Sequence, residues 1–531
     1  MRAEQMIRGH SRTHSAAVFA LWSIASPMAG VFGEITLAWR FGASDLMDAY
    51  RSISLLLNFG SAFLFAQILP HLLIPAFCEL RAKNSEDAAW QFSFSMGAAI
   101  GIATSIAAGW AALNPGLTVD ILGPGLSVGA RAKAGQLVAP FAFALVLMTW
   151  SGVMNGVLQN YDVFIVLPLS QMLGNVLLAV VVVFSTTGNG TAYIGAAVLA
   201  GAILTAVIHL FWLLSIRRRR RLRGSIGVSR SALDRLWKWG RLGWPLVLLF
   251  IAQQWSIVAY NRAFSTLTPG TVATVGYSTK MLMLATLVPT SLATILFPGL
   301  SDAVARGDEG QAKRLFDRFL RMILFLCIPV IPLLWALRLD MVKILFGHGA
   351  MGAGDAKAIA DLFALFLLSA PAFPLIGILL KLFYARHDTK TPVLVGCAAA
   401  VVAICLAPTA ARLGNLRGVA MAWNLTNWLN AGGLLAAQAW MYGVVSLPNL
   451  LRHTGKLAAI SGCLAAIALA RSSIGPETVA PAITADAITI AASALALSLL
   501  ARTQRVPEGA EVIAYLRSSF GLLASKLAAS K

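Results

Sequence analysis

The chain has 531 residues, of which 58% are hydrophobic and 12% are charged, and its formal net charge is +20. Soluble globular proteins carry about 25% charged residues, so this composition excludes a soluble globular protein and indicates a polytopic membrane protein. Apolar stretches cover nearly the whole sequence, and we count about fourteen that are long enough to cross a hydrocarbon core roughly 30 Å thick. The predicted fold is therefore all-α.

The positive charge follows the membrane topology rather than a nucleic-acid surface, because the basic residues concentrate in alternate loops. If the N-terminus lies inside the cell, most of the 42 Lys and Arg residues fall on the cytoplasmic side, as expected for a multi-pass membrane protein. Both termini are then predicted to be cytoplasmic. The run at 217–221 is interpreted as an orientation signal at a helix end, with anionic-lipid binding as the alternative.

Neither a metal site nor an enzymatic site is predicted. The five cysteines show no C-x-x-C spacing and the seven histidines are scattered, so a disulfide framework or a ligand cluster is not indicated. A phosphate-binding P-loop and the H-E-x-x-H motif are also missing from the sequence. We expect no cofactor, and a transporter rather than an enzyme.

The N-terminal lobe is predicted at residues 1–216. Its first apolar run lacks a small-residue cleavage site and is followed by many others, which favours a retained helix over a signal peptide. A loop rich in Gly and Pro at 114–129 is placed outside the cell. The six predicted helices lie near residues 15–38, 50–77, 89–113, 137–158, 163–185 and 192–216.

A basic cytoplasmic loop at 217–241 separates this lobe from a C-terminal lobe at 242–442. That lobe is predicted to hold helices near 242–265, 272–299, 318–338, 358–385, 391–411 and 416–442. Two further helices, near 456–471 and 481–501, lie within a segment at 443–501. The remaining segment, 502–531, has apolar residues at three- and four-residue spacing, which predicts an amphipathic helix on the inner membrane surface, or more weakly a partner-binding helix.

A short internal repeat supports two related halves. The end of the second predicted helix, Ile74-Pro75-Ala76-Phe77-Cys78-Glu79, resembles the end of the eighth, Phe297-Pro298-Gly299-Leu300-Ser301-Asp302. Transporters are commonly built from such repeats. We therefore expect two six-helix lobes around a central cavity, followed by the two extra helices.

The candidate substrate site centres on Lys280, a cation inside the apolar stretch 276–298. A charge at membrane depth costs about 2.5 to 3.5 kcal/mol on insertion scales, so it usually faces a water-filled cavity or a charged partner. The alternative is a lysine that snorkels to the interface. The same polar interior set includes Glu34, Asp48, Arg51, Gln254, Asn261, Arg262 and Lys381.

Cations and amides in a low-dielectric cavity suit a phosphate or another anion. For Arg51 and Arg262, the alternative is that they anchor helix ends at the outer interface. For Lys381, the alternative to substrate binding is that its side chain snorkels to the cytoplasmic surface.

The segment 383–392 resembles the FYAxxDTxTP signature of the MurJ (MviN) family of lipid II flippases, which belongs to the superfamily of MATE exporters and polysaccharide flippases. Further segments at 41–50, 346–350 and 418–430 are similar to other parts of that family. The resemblance implies a two-lobed bundle with a cationic cavity and a lipid groove made by the last two helices. The matching signature residues are Phe383, Tyr384, Asp388, Thr389, Thr391 and Pro392.

The chain also departs from the family pattern. The arginines of the family's first-helix motif, S-R-V-L-G-F-V-R-D, are replaced by Pro27 and Gly33, and the basic pair of helix 2 by Ser61 and Ala62. The cation of helix 8 is retained as Lys280. Sodium-binding positions of some members have no obvious counterparts here, so the coupling ion stays open.

The resemblance implies a divergent flippase for a polyprenyl-diphosphate-linked glycan, either lipid II or an exopolysaccharide repeat unit, in contact with membrane lipids and glycan-assembly enzymes. A MATE-like exporter of cationic molecules is the alternative transporter, although an acidic cavity would suit it better than Lys280 does. A glycan ligase or polymerase would need a catalytic set on a large outer loop. A non-transporting scaffold remains an alternative for a chain that lacks the family's arginines.

Overall fold

The structure is a computed structural model that describes residues 22, 25–61, 69–83, 85–161, 163–186, 188–220, 230–295, 297–386, 388–413, 415–443, 447–472 and 489. Within these ranges every regular element is a helix, so the all-α prediction is confirmed. The chain packs as two compact units, one made of residues 1–273 with 348–352 and the other of 274–347 with 353–531.

The first unit contains nine helices of the described part and the start of a tenth. They are α1 at 25–41, α2 Asp45–Ser61, α3 Leu69–Lys83, α4 Glu86–Leu113, α5 Pro115–Leu122, α6 Val128–Gln159, α7 Val166–Val183, α8 Gly190–Arg219, α9 Arg230–Ser265 and the first turn of α10, Thr271–Ile295. Helix α6 is central, because it packs against α2, α3, α4, α5 and α8.

Close approach between α4 and α6 depends on two glycines. A Cβ on Gly97 would lie 2.9 Å from a Val153 methyl carbon, and a Cβ on Gly101 would lie 2.9 Å from the Trp150 indole. Both glycines are buried. Two helices with larger residues at these positions would be forced apart, so the sequence of α4 sets the distance between them.

The second unit contains the rest of α10 and the helices that follow. These are α11 Phe297–Ala305, α12 Glu309–Cys327, α13 Val330–Phe346, α14 Ala353–Phe366, α15 Ala372–Ala385, α16 Lys390–Leu413, α17 Leu416–Tyr442 and α18 Leu447–Ser472. Its core joins α11, α12, α15, α17 and α18, and it includes the fully buried side chains of Leu300, Phe316 and Phe383.

The two segments of the internal repeat have the same local arrangement. Phe77 in α3 and Leu300 in α11, which occupy equivalent repeat positions, are both fully buried. Eight residues later each segment reaches a helix N-cap: Ser85 accepts from Ala88 N–H at the start of α4, and Asp308 accepts from Gln311 N–H at the start of α12. The repeat thus continues past the six residues that first indicated it.

Several predicted spans have interruptions. The helix expected at 318–338 is two helices, α12 and α13, which part at Ile328 and Pro329. The helix expected at 358–385 is α14, a 3₁₀ turn at Leu367–Ser369, and α15, with Pro371 at the break. Proline lacks the backbone N–H that a continuous helix needs, so each break falls where that donor is missing.

Other boundaries also differ from expectation. Helix α9 begins at Arg230, within the expected basic loop, and α5 lies within the expected outer loop with Pro115 in its first turn. Eight helical segments of the described part are long and apolar enough to cross a membrane. The expected helix at 481–501 and the tail at 502–531 lie outside the described residues, apart from residue 489.

Candidate functional site

Glu34 and Arg51 form a buried ion pair in the first unit. Arg51 Nη1 donates to Glu34 Oε1 at 2.9 Å, and Arg51 Nη2 donates to Glu34 Oε2, so the pair is bidentate. The side chains are only 8% and 11% exposed. Helix α1 carries the acid and α2 carries the base, and the guanidinium also lies 5.5 Å from the Tyr50 ring centre. The acid therefore offsets the charge of the cation predicted to bind substrate.

Asn261 and Arg262 connect α9 to neighbouring elements of the same unit. Asn261 Nδ2 donates to the Leu122 carbonyl at 2.7 Å and to Ser52 Oγ at 3.3 Å. Arg262 is exposed, and its Nη1 donates to the carbonyls of Asp120 and Ile121 at the end of α5. These contacts give both residues a structural role in holding α5 against α9. Gln254, also on α9, is buried.

Asp48 caps the start of α10. Its Oδ2 accepts from Gly270 N–H at 2.6 Å and its Oδ1 from Ala273 N–H at 2.7 Å, and the side chain is buried. The first N–H groups of a helix have no partner within the helix, and a carboxylate there also meets the positive end of the helix dipole. Asp48 therefore joins α2 to the N-terminus of α10, and the sequence alone did not predict this role.

Two segments that resemble the family meet in the first unit. The Ala350 N–H donates to the Trp39 carbonyl at 2.8 Å, next to the Phe41-Gly42-Ala43 segment. Gly42 and Gly349 both have positive φ, at +58° and +70°. A Cβ on Gly42 would lie 2.5 Å from the Ala350 carbonyl oxygen, so only glycine fits this contact.

Lys280 lies in the second unit, on a helix whose orientation is fixed by its neighbours. Tyr277 is fully buried with its ring centre 5.2 Å from that of Phe346, and Ser278 Oγ donates to the Ile359 carbonyl at 2.9 Å. These contacts direct one face of α10 into the core of the unit. Lys280 is half-buried on the less buried face, which also carries the exposed Met283.

The signature segment at 383–392 forms a tight connection between α15 and α16. Asp388 Oδ1 accepts from Thr391 N–H and Asp388 Oδ2 from the Tyr442 hydroxyl, each at 3.1 Å. Arg386 pairs with Glu309, and its guanidinium lies 4.2 Å from the Tyr442 ring centre. This network joins the ends of α12, α15 and α17.

The signature residues therefore stabilise the fold around this turn. Burial on its own raises the pKa of Asp388, but the hydrogen bonds from Thr391 and Tyr442 outweigh burial and hold it below its usual range. Phe383 belongs to the core of the second unit and Pro392 is buried in the first turn of α16. Tyr384, Thr389 and Lys381 are half-buried nearby in sequence.

The predicted polar residues thus fall into separate groups. Glu34, Arg51, Asp48 and Asn261 gather on or beside α2 in the first unit, whereas Lys280 and Lys381 belong to the second. Within the described part of the chain, no group of three His, Cys, Asp or Glu side chains lies close enough to hold a metal ion. Sequence reasoning missed the pairing of Glu34 with Arg51, since 17 residues separate them and the contact depends on how α1 packs on α2.

Long apolar helices with a few buried charges, arranged in two units with a local internal repeat, define a multi-pass membrane protein of the kind from which transporters are commonly built. The sequence profile described as "Lipid II flippase MurJ" matches residues 37–476. The chain belongs to this family.

Individual comparisons agree with the profile. A probable lipid II flippase MurJ of Rhizobium meliloti is 22% identical over 424 residues, covering 79% of each chain. A relative of the same description from Rhizobium tropici is 30% identical over 203 residues, covering 37% of each chain. The fold is similar to that of a solved structure, "Lipid II flippase MurJ, inward closed conformation", with a TM-score of 0.76, 17% identity, and coverage of 92% of this chain and 99% of the other.

Proposed function

We propose that the chain translocates a polyprenyl-diphosphate-linked glycan across the bacterial inner membrane. Membership of a family of lipid II flippases supports the class of substrate. The observation that carries the proposal is Lys280, a half-buried cation on a helix that has no other charged residue. A cation at membrane depth is costly, and a functional ligand is the usual reason for its presence.

The diphosphate is the part of the substrate that Lys280 would bind. A diphosphate offers several anionic oxygens, and hydrogen bonds between an ammonium and such oxygens are stronger where water is scarce. The contacts of Tyr277 and Ser278 fix the rotation of α10 about its own axis. Because Lys280 follows these residues in the same helix turn, they support a defined position for its side chain. Lys381 is a second candidate cation of the same unit.

Arg51 would contribute in a different way, because Glu34 already holds it. The bidentate pair is nearly neutral as a whole, so Arg51 attracts an anion strongly only when Glu34 is displaced or protonated. Gln254 would supply an uncharged hydrogen-bond donor to the glycan, whereas the Asn261 amide hydrogens are already donated to Leu122 and Ser52. Lys280 is the cation that this proposal places against the diphosphate.

Transport would follow alternating access, in which the substrate site opens first to the cytoplasm and then to the outside. Only a substrate that binds the two conformations differently biases such a change. The excess of Lys and Arg in the expected cytoplasmic loops supports cytoplasmic N- and C-termini. Glycan-assembly enzymes on the cytoplasmic side are the partners that would supply the substrate.

An exopolysaccharide repeat unit is the second candidate substrate. The observation that favours it is the loss of the family's first-helix arginines, replaced by Pro27 and Gly33, together with the pairing of Arg51. These changes reduce the positive charge that would face the head group of lipid II. A cation exporter is disfavoured by Lys280, since like charges repel.

The test is complementation in a bacterium whose own lipid II flippase can be depleted. The wild-type chain and the variants Lys280→Arg, Lys280→Glu and Lys357→Glu are expressed at matched membrane levels, and growth and surface labelling of lipid II are followed. We expect rescue by wild type and Lys280→Arg and none by Lys280→Glu.

Lys357 is an exposed lysine of α14 and provides the matched charge-reversal control. Rescue by Lys357→Glu shows that a charge reversal elsewhere is tolerated. Rescue by Lys280→Glu would contradict the role of Lys280. No rescue by any correctly inserted chain would exclude lipid II in that host, and the same variants would then be tested for surface export of a polysaccharide repeat unit.

A further inference from the structure

An apolar groove of about 810 Å³ lies within the first unit. Helices α2, α4, α5, α6 and α9 form its walls. One wall is a row of small side chains on α4, Ala99, Ala103, Ala107 and Ala111, which recur at intervals of four residues and share one face of that helix. Trp110 and Trp255 line it and are 47% and 46% exposed, so the groove is open on one side.

The groove offers a ligand no hydrogen bond from its side-chain hydroxyls. Thr104 Oγ1 already donates to the carbonyl of Ile100, and Thr118 Oγ1 to the carbonyls of Ala111 and Asn114. The remaining lining residues are aliphatic or aromatic. A hydrocarbon chain is the ligand that such a surface selects, because it loses no hydrogen bonds on entering.

The length of the groove matches one leaflet of a bilayer. The alanine row spans 12 residues of α4, which at 1.5 Å per residue is about 18 Å. One leaflet of the hydrocarbon core is about 15 Å thick. A phospholipid acyl chain reaches about this depth, whereas a long polyprenyl chain extends beyond it.

One end of the groove carries excess positive charge. Ile121 and Leu122 of α5 line this end. The Arg262 guanidinium donates to the Asp120 and Ile121 carbonyls, and Arg131 pairs with the Asp120 carboxylate at 2.6 Å. Two exposed guanidinium groups thus contact this end of α5, where Asp120 supplies one carboxylate. An anionic head group at the membrane surface complements this charge.

We propose that this groove binds one acyl chain of an anionic phospholipid of the outer leaflet, with its head group beside Arg262 and Arg131. The acyl chain fills the space between α4 and α9 and stabilises the packing of Trp255 and Val258 against the alanine row. The lipid is a structural ligand of this unit and is distinct from the transported substrate.

The test is native mass spectrometry of the purified full-length chain, titrated with phosphatidylglycerol, phosphatidylcholine and undecaprenyl phosphate. Ala107→Trp fills the groove at an exposed position and should weaken phosphatidylglycerol binding at least about tenfold. Ser105→Trp is the matched control, because Ser105 is an exposed small residue of α4 outside the groove. It should bind like wild type.

Two further variants complete the experiment. Ala103→Phe fills the same groove with a smaller ring, and it should also weaken binding if Ala107→Trp fails to fold. Arg131→Gln should reduce the preference for phosphatidylglycerol over phosphatidylcholine and leave phosphatidylcholine binding unchanged. Wild-type binding by both groove-filling variants, equal loss in Ser105→Trp, or tighter binding of undecaprenyl phosphate than of phosphatidylglycerol would each overturn the proposal.

Discussion

The Asp48 carboxylate accepts a hydrogen bond from the Ala273 N–H at 2.7 Å, across 225 residues of sequence. With the second bond from Gly270, it fixes the start of α10, and the same helix carries Lys280 seven residues after Ala273. A residue first considered for substrate binding therefore has a defined structural partner. Its contribution to the proposed function would be to place α10 correctly.

Substitution of Asp48 should destabilise this connection in a graded way. Asp48→Ala removes both acceptors and leaves buried N–H groups without a partner, so we expect the free energy of unfolding to fall by about 1 to 3 kcal/mol. Asp48→Asn retains one oxygen and should lie between Asp48→Ala and wild type. Unfolding of the purified chain in detergent measures the effect, and equal stability of all three proteins would contradict the role of the cap.

The Glu34–Arg51 pair should show strong coupling. Glu34→Gln or Arg51→Gln alone leaves one buried charge without its partner, which typically costs about 3 to 5 kcal/mol. The double variant with Gln at both positions has no buried charge. Its loss of unfolding free energy should therefore be smaller than the sum of the losses in the two single variants. Unfolding measurements on the four proteins of this cycle give the coupling energy. Strictly additive effects would show that the two charges do not depend on each other.

Gly349 should tolerate no side chain. Its φ of +70° is unfavourable for other residues, and a Cβ would contact the Trp39 carbonyl oxygen and indole. We expect Gly349→Ala to cost about 1 to 3 kcal/mol. Gly354→Ala is the matched control, because Gly354 lies in α14 with no atom within 4 Å of an added Cβ. If both variants unfold at the same temperature as wild type, the close approach of Gly349 to Trp39 is not a constraint.

Asp388 gives the turn between α15 and α16 a defined pH dependence. Its native pKa lies below the ordinary value of 3.8, so its carboxylate contributes stability that is complete above about pH 4 and is lost as the pH falls through the native pKa. Asp388→Asn should be less stable than wild type at pH 7, and the difference should shrink on acidification below pH 4. A difference that is unchanged at pH 3 would contradict this assignment.

Composition and apolar stretches were enough to predict the helical membrane fold, because the bilayer imposes a minimum length on each span. They did not predict the breaks at Pro329 and Pro371, since proline is tolerated in membrane helices when neighbours satisfy the freed carbonyl groups. Here the chain breaks at both positions, which depends on the surrounding packing.

The types of residue in the candidate site could be predicted from the sequence, but the partner of each side chain could not. Lys280 was identified because a cation interrupts an apolar run, a signal that needs no tertiary information. The partners of Arg51, Asp48 and Asn261 depend on which faces of distant helices pack together, and the local sequence does not determine that packing. The structure therefore adds most where two side chains from distant helices neutralise or cap one another.

The most direct test of the account is transport by the purified chain in vesicles that contain lipid II. A membrane-impermeant reagent labels the glycan exposed in the outer leaflet, and further labelling with time reports translocation. The account predicts that wild type and Lys280→Arg make the inner-leaflet pool accessible, whereas Lys280→Glu leaves it protected and Lys357→Glu behaves as wild type. Equal translocation by Lys280→Glu and wild type would contradict the central role of Lys280.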